Sequence, residues 1–368
     1  MGQAAAIMIP WARPAFFGNE ESYLMQAFRS TWISGGDFVD RFEEEFRRYC
    51  GTRFALTTSN GTTALHMAYL ALGIGKEDEV VVPGFAFLAA ANVALHVGAK
   101  PVFAEVDPDT WCVSAAGIER CITRKTRLIV PVHTYGNVCA MDDILSLADH
   151  HGIAVVEDAA EAFPSRYRGR LAGTMGGIGA FSFQATKTIT TGEGGMVVTE
   201  NPTLFDTMWL YRNHGMKNVR YWHELAGHNF RMTNLQAAIG CAQMEVLPSI
   251  MRERRRIQAL YADLLREIDG ATTQRFEPDV DAVLWSCAVK LHPEAFPQGR
   301  DGLIAQFAEV GIETRPGFYS ASQIGLYKAS PLPVCDEISR QVISLPTYPT
   351  LSNDQVASIC GYLRSFRK

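Results

Sequence analysis

Short apolar segments alternate with helical patterns from about residue 54 to residue 158. Strands are predicted at Phe54–Thr58, Glu79–Val82, Pro101–Val106, Arg127–Val132 and Ile153–Val156. Apolar residues recur at helical spacing between them, in Thr62–Leu72, Phe87–Val97, Ala115–Ile122 and Met141–His150. Strands that are apolar throughout are typical of a parallel sheet with helices on both faces. The pattern therefore predicts an α/β domain with crossover connections.

The pattern becomes less regular after Gly169. Two short β-like runs, Gly179–Phe183 and Gly195–Val198, lie on either side of a loop rich in Gly and Thr. A long helical segment follows at Asn234–Leu265, and Pro248 is expected to break it because proline lacks a backbone N–H.

The last hundred residues are richer in proline and more irregular. A strand is predicted at Leu284–Leu291, and helices are predicted at Gly302–Val310 and Asn353–Phe366. We therefore expect a large domain over residues 1–245, with a mainly parallel sheet, and a smaller α+β domain over residues 246–368.

Composition narrows the classes of partner. The 368-residue chain has a formal net charge of −5, which gives no sign of binding to nucleic acid or to an anionic membrane surface. Its eight cysteines form no CxxC pair and no metal-ligand spacing, so we expect reduced thiols and no metal site.

Nothing in the pattern predicts a membrane segment. The longest apolar stretch, Phe85–Val97, contains Asn92 and His96 and is too short to cross a bilayer. The first residues, MGQAAAIMIPWARP, lack a basic start followed by a sustained apolar run, so no signal peptide is expected. We expect a cytoplasmic protein.

Polar residues at the ends of predicted strands are the candidates for chemistry, since ligands of open α/β sheets bind there. The first group is the turn Ser59–Thr63, SNGTT, between a strand and a helix. Its backbone N–H groups and the helix dipole would suit a phosphate. An ordinary capped turn explains the same residues, because Ser and Asn are good N-caps.

The second group consists of carboxylates. Glu157 and Asp158 end an apolar strand, and Glu161 follows shortly after. A carboxylate buried at a strand end is costly unless it has a partner. A metal, a helix N-terminus or a protonated heterocycle could each be that partner.

The third candidate is Lys187, which lies between the apolar run FSF and the loop TITTGEGG. Lysine is strongly hydrated and is usually found at the surface. In a partly dry cleft its pKa would fall, as Schiff-base chemistry requires. A surface lysine in a mobile loop is the alternative.

The three groups in this order resemble fold-type-I enzymes that use pyridoxal 5′-phosphate. More narrowly, the chain resembles the DegT/DnrJ/EryC1/StrS sugar aminotransferases. The resemblance extends over nearly the whole chain and rests on the motifs WISGG, SNGTTALHMAYLALGIGKEDEVVVP, PVHTYG, VVEDAAEA, FSFQATKTITTGEGGMVVT, YRNHG and HNFRMTNLQAAIG.

The resemblance implies a role for each matching residue. Lys187 would bind the cofactor as a Schiff base and then move the proton. Asp158 would pair with the pyridinium nitrogen, Phe87 would stack on the ring, and Glu161 would lie near its phenolic oxygen. The phosphate would be held by Ser59, Asn60, Gly61, Thr62 and Ser182.

The resemblance also implies a homodimer with shared active sites, in which Asn229 reaches the cofactor of the neighbouring subunit. The substrates would be glutamate, which converts the cofactor to pyridoxamine 5′-phosphate, and a nucleotide-linked keto sugar. Sugar contacts are expected from Ser34, Tyr135, Arg231 and Tyr319.

Glu161 replaces the Gln or His that is commoner at its position. Glutamate there resembles the branch of the family that aminates C4 of GDP-4-keto-6-deoxy-mannose. Phe163-Pro164 departs from the His-Gly pair that is usual after this motif. Amination of another dTDP- or UDP-linked 3- or 4-keto sugar is therefore the alternative.

Three other functions are compatible with parts of the pattern. A deoxysugar dehydratase on the same scaffold would carry His in place of Lys187. A non-catalytic regulator that binds the cofactor need not keep Lys187 and Asp158 together. A nicotinamide dehydrogenase would show GxGxxG after the first strand, and this chain does not.

Overall fold

The computed structural model describes residues 9–368. No signal peptide is expected at the start of the chain, and the first eight residues of that segment lie outside the described residues. The strands up to residue 199 are β1 Phe54–Thr58, β2 Glu79–Pro83, β3 Lys100–Ala104, β4 Thr126–Ile129, β5 Ala154–Asp158, β6 Arg166–Tyr167, β7 Arg170–Leu171, β8 Ile178–Ser182 and β9 Gly195–Thr199. The helices up to residue 266 are α1 Glu20–Arg29, α2 Asp37–Cys50, α3 Gly61–Ala71, α4 Ala89–His96, α5 Ala115–Glu119, α6 Met141–His151, α7 Pro202–Arg212 and α8 Asn234–Arg266.

Seven of these strands form one sheet in the order β1-β9-β8-β5-β4-β2-β3. The pairs from β8 through β5, β4 and β2 to β3 are all parallel, whereas β9 is antiparallel to both of its neighbours. The predicted α/β class with a mainly parallel sheet is confirmed.

Both faces of this sheet are covered. Val81, Ile129 and Phe181 face one apolar cluster, whereas Val80 and Leu128 face another on the opposite side. Side chains of successive strand residues point to opposite faces, so apolar residues at every position fill two layers. Each such side chain contributes about 1.5–3 kcal/mol when fully buried.

The C-terminal region is built on a second sheet. Its elements are β10 Ala271–Thr273, β11 Val280–Asp281, β12 Cys287–Leu291, β13 Arg315–Pro316, β14 Val342–Leu345, α9 Gly299–Glu309, α10 Pro333–Gln341 and α11 Asn353–Ser365. The sheet order is β10-β12-β14-β13 and all its pairs are antiparallel. Strand β11 instead pairs with β6, which lies between β5 and β8 along the chain. This pair connects the C-terminal region to the region of the large sheet.

The expected break at Pro248 is wrong, since α8 runs without interruption from Asn234 to Arg266. A proline removes one helical hydrogen bond but leaves those of the neighbouring residues. Leu247 and Ile250, on either side of it, are buried in the core cluster that includes Phe42 of α2, and α8 packs against α1 and α2. The boundary proposed between residues 245 and 246 lies inside this helix.

Two other elements begin later than the pattern predicts, and both changes affect the cavity described below. Helix α4 begins at Ala89, which leaves Phe87 in a loop with 61% of its surface exposed. Strand β12 begins at Cys287, where pairing with Leu345 of β14 starts, so Leu284–Ser286 is a connecting segment. Within residues 9–368, no helix is both long and apolar enough to cross a membrane.

Candidate active site

A cavity of about 1220 Å³ opens at the carboxyl ends of the parallel strands. This is the edge of an α/β sheet where ligands are expected. The residues from the sequence-based predictions that line it are Asn60, Gly61, Thr62, Phe87, Tyr135, Asp158, Glu161, Ser182, Lys187 and Tyr319.

The N-terminus of α3 faces this cavity. Asn60 is extended, with φ −169°, and its side chain accepts the N–H of Thr63, whose hydroxyl accepts the N–H of Asn60 in return. The N–H groups of Gly61 and Thr62 have no acceptor among the described residues. A Cβ atom on Gly61 would lie 2.8 Å from the Cβ of Ser182. Glycine thus lets the helix end approach β8 closely, and the free N–H groups make an anion site.

Glu157 is fully buried and points away from the cavity. Its carboxylate accepts the N–H of Gly173 at 2.8 Å and also bonds the N–H groups of Met175 and Gly176. His133 Nδ1 accepts a backbone N–H from Cys139 at 3.3 Å, so Nε2 carries the proton and donates to Glu157 at 3.0 Å. Hydrogen bonding keeps the pKa of Glu157 low despite its burial, and the residue anchors the turn that precedes β8.

Asp158 faces the cavity, because it follows Glu157 on the same strand. Its Oδ1 accepts the N–H of Ala160 at 3.1 Å, and no donor in residues 9–368 reaches Oδ2. Burial raises the pKa of Asp158, while the N–H of Ala160 and the nearby charge of Lys187 oppose the rise. A buried carboxylate with one free oxygen is suited to a cationic partner.

Lys187 lies in the loop after β8, where its N–H donates to the Gln184 carbonyl at 2.8 Å. The side chain is only 13% exposed, and its Nζ is 3.9 Å from Glu161 Oε1. Nζ also lies 3.9 Å from the centroid of the Trp285 ring. Burial lowers the pKa of the Lys187 amine, although the carboxylates of Glu161 and Asp158 oppose this. The amine is therefore closer to its nucleophilic form than a surface lysine would be.

Glu161 completes the group. Its Oε2 accepts the backbone N–H of Tyr135 at 2.9 Å. Burial raises the pKa of Glu161 to about 7, while the charge of Lys187 and the N–H of Tyr135 limit the rise. Tyr135 itself has φ +60°, a conformation that non-glycine residues rarely adopt. Its hydroxyl is buried and forms no hydrogen bond among the described residues.

Comparison with known proteins identifies the family. The model of the DegT/DnrJ/EryC1/StrS aminotransferase family matches residues 17–364. This chain belongs to that family. Its relatives include GDP-perosamine synthase of Escherichia coli O157:H7, which is 40% identical over 97% of this chain and 98% of the relative. GDP-perosamine synthase of Vibrio cholerae is 38% identical over 98% of this chain and 99% of the relative.

A solved structure agrees with these relatives. The crystal structure of S. venezuelae DesV in complex with a ketimine intermediate superimposes with a TM-score of 0.89. It is 32% identical and covers 96% of this chain and 98% of its own. The chain is thus an aminotransferase that depends on pyridoxal 5′-phosphate, as the motifs predicted.

The aminotransferase cavity contains the hydrogen-bonding groups and the amine that this cofactor requires. The free N–H groups at the start of α3 suit its phosphate, and Asp158 Oδ2 suits its ring nitrogen. The Lys187 amine faces the same space. The residues present therefore fit the cofactor.

Four of the predicted residues do not line this cavity. Ser59 lies behind the turn, where its hydroxyl is 3.1 Å from that of Thr63 and its N–H donates to the Phe230 carbonyl. The other three are Ser34, Asn229 and Arg231. The Arg231 guanidinium is instead 3.5 Å from Asn213 Oδ1.

Several residues that line the cavity were not predicted. They include Trp11 of the N-terminal segment, His66 of α3, and Trp285, Arg315, Phe318 and Tyr327 of the C-terminal region. The sequence pattern predicted a strand around Trp285, and nothing in the neighbouring residues indicated that Trp285 would line a cavity. Its contact with Lys187 depends on how the C-terminal region packs against the large sheet.

Proposed function

We propose that this enzyme transfers an amino group from glutamate to C4 of GDP-4-keto-6-deoxy-mannose. Two cavity residues carry the reaction chemistry in this proposal, Lys187 and Asp158, and Glu161 would lie near the phenolic oxygen of the cofactor. The sugar assignment is supported by the relatives named GDP-perosamine synthase, which match almost the whole chain. Glu161, which resembles the branch of the family that acts on GDP-4-keto-6-deoxy-mannose, also supports this assignment.

When bound, pyridoxal phosphate supplies an electron sink that stabilises negative charge on the carbon that loses its proton. Asp158, with its free Oδ2, would hold the ring nitrogen in the protonated state that this requires. Lys187 Nζ would take the proton from the glutamate carbon and deliver a proton to the sugar carbon. Burial favours this exchange because it lowers the pKa of Lys187.

The N-terminus of α3 would bind the phosphate. The N–H groups of Gly61 and Thr62 would donate to the phosphate, and the capping bonds of Asn60 hold them in place. Ser182, next to Gly61, would add a hydroxyl. Phe87, exposed at the cavity mouth, would cover the ring. Tyr135 and Tyr319 would contact the sugar nucleotide.

The chemistry is tested by absorbance. Purified protein should show a visible band that glutamate bleaches, and Lys187→Ala should abolish the band. Lys125→Ala is the matched control, since Lys125 is an exposed lysine paired with Glu77. A band that persists unchanged in Lys187→Ala would refute the role of Lys187.

The sugar is tested by comparing GDP-4-keto-6-deoxy-mannose with thymidine- and uridine-linked 3-keto and 4-keto sugars. We expect the highest kcat/KM with the GDP sugar. Turnover of a non-GDP sugar alone would refute the GDP assignment and leave the aminotransferase chemistry intact.

We further propose that the enzyme is a homodimer in which Asn229, Arg231 and Ser34 serve the cavity of the neighbouring subunit. None of the three lines the cavity of its own chain. Trp32, two residues before Ser34 in the chain, is 70% exposed, and Tyr221, eight residues before Asn229, is 75% exposed. Exposed aromatic side chains are common at interfaces.

Mixed dimers test this sharing. The Lys187→Ala and Asn229→Ala variants should each have low activity as homodimers. A mixed dimer of the two variants would contain one site in which both residues are native. Co-expressed variants should therefore recover about a quarter of the wild-type activity, as random pairing in a two-fold dimer requires. No recovery, with both parents inactive, would place Asn229 in the site of its own chain.

A further inference from the structure

One tryptophan of the C-terminal region contacts Lys187 in two ways. The face of the Trp285 ring lies 3.9 Å from Lys187 Nζ, measured to the ring centroid. At the ring edge, Trp285 Nε1–H donates a hydrogen bond to the Thr186 carbonyl at 2.9 Å. That carbonyl belongs to the peptide unit immediately before Lys187. The same indole thus contacts the amine and holds the backbone that carries it.

Trp285 is itself held on several sides. Its backbone N–H donates to the Tyr135 carbonyl at 3.0 Å. Its ring meets Trp11 edge to face, at 84° and 5.5 Å, and lies nearly parallel to Phe318, at 5°. Only 7% of the residue is exposed. An indole with these contacts has little freedom to rotate.

Arg254 of α8 fixes the backbone of the same segment. Its guanidinium donates to the carbonyls of Leu284 and Trp285, at 3.0 Å each. The residue is 2% exposed, and no carboxylate in residues 9–368 lies within ion-pair distance of it. Burial lowers the pKa of Arg254 to about 10. A buried guanidinium without a counterion is costly, which sets Arg254 apart from an ordinary surface arginine.

We propose that Trp285, held in place by Arg254, is a positioning residue that fixes the Lys187 amine for proton transfer. This inference rests on the proposed function in one respect, that Lys187 Nζ moves the proton. A lysine side chain has four rotatable bonds, and the amine must reach the proton at hydrogen-bond distance. The ring face restricts where the amine can go, and the bond to Thr186 restricts where its chain begins.

Steady-state kinetics provides the first test. Trp285→Leu removes both contacts and should lower kcat about 100-fold with little change in KM, since misplacement by about 1 Å can cost that much. Trp285→Phe keeps a ring face but loses the N–H, and it should lower kcat by about tenfold. Trp209→Phe on α7, which does not line the cavity, should leave kcat unchanged.

Labelling of Lys187 provides the second test and needs no cofactor. In the full-length protein without cofactor, acetic anhydride labelling is measured by mass spectrometry across pH. An aromatic face stabilises an ammonium, so Trp285→Leu should shift the Lys187 labelling curve to lower pH. Trp285→Phe should leave the curve in place. A wild-type curve in Trp285→Leu overturns the proposal, even if activity is lost.

Arg254 tests the role of the 284–285 segment, and its positive charge also helps to lower the pKa of Lys187. Arg254→Met should lower kcat about tenfold or more, by releasing the 284–285 segment. Arg255→Met, the adjacent residue, removes an exposed guanidinium paired with Asp281 and should have no effect. If Trp285→Leu does not fold, wild-type kcat in both Trp285→Phe and Arg254→Met overturns the proposal. Because labelling requires no turnover, it can fail or succeed independently of the Lys187→Ala band.

Discussion

Replacing Glu161 by glutamine should change how stability depends on pH. The Glu161 side chain is 2% exposed, and its Oε2 accepts the N–H of Tyr135 at 2.9 Å. Glutamine can keep that acceptor while removing the ionisable proton. Burial raises the pKa of Glu161 from 4.5 to about 7, and the charge of Lys187 limits the rise. The native state therefore holds a proton that the unfolded chain releases.

The sign and the size of the effect follow from this difference. Between pH 4.5 and 7 the native state binds more protons than the unfolded state, so stability falls as pH rises through this window. The loss between about pH 5 and pH 8 amounts to about 2–3 kcal/mol, since one pKa unit corresponds to about 1.4 kcal/mol. Glu161→Gln should lack this loss and be the more stable protein at pH 8.

Urea unfolding of the cofactor-free protein measures the effect. Wild type and Glu161→Gln should be compared at several pH values and at equal protein concentration, because association also affects stability. The exposed Glu294→Gln is the control and should follow the wild type. Parallel stability curves for wild type and Glu161→Gln would show that Glu161 ionises in the folded protein as it does in the unfolded chain.

Three further substitutions test other parts of the cavity. Gly61→Ala should weaken cofactor binding at least about tenfold, seen by absorbance titration, because the new Cβ would lie 2.8 Å from the Cβ of Ser182. Asp158→Asn should lower kcat by about 10²-fold or more while the fold is kept, as circular dichroism would show. Glu157→Gln should destabilise the protein by about 3 kcal/mol in urea unfolding, since an amide N–H₂ would face buried N–H donors. Unchanged binding, kcat or stability, respectively, would contradict these expectations.

Local pattern was sufficient for much of the large sheet. Strands such as Phe54–Thr58 and the start of α6 at Met141 agree with the expected bounds, because apolar runs and helical spacing are properties of neighbouring residues. The break at Pro248 was wrong for the opposite reason. One lost hydrogen bond was outweighed by packing against α1 and α2, which no local window contains.

The order of the strands along the chain and the turn and loop that carry Asn60 and Lys187 could be predicted from the sequence, and the family resemblance of the motifs implied the cofactor class. These depend on short motifs and on the alternation of apolar runs with helices. The resemblance had already assigned the role at the cofactor ring to Asp158, and tertiary structure supplied the physical reason why the adjacent acid Glu157 does not have it. Side chains of successive strand residues face opposite ways, and only the packed sheet shows which face borders the cavity. It also brought Trp285 and Arg254 to Lys187, because burial and charge are set by neighbours that are distant along the chain.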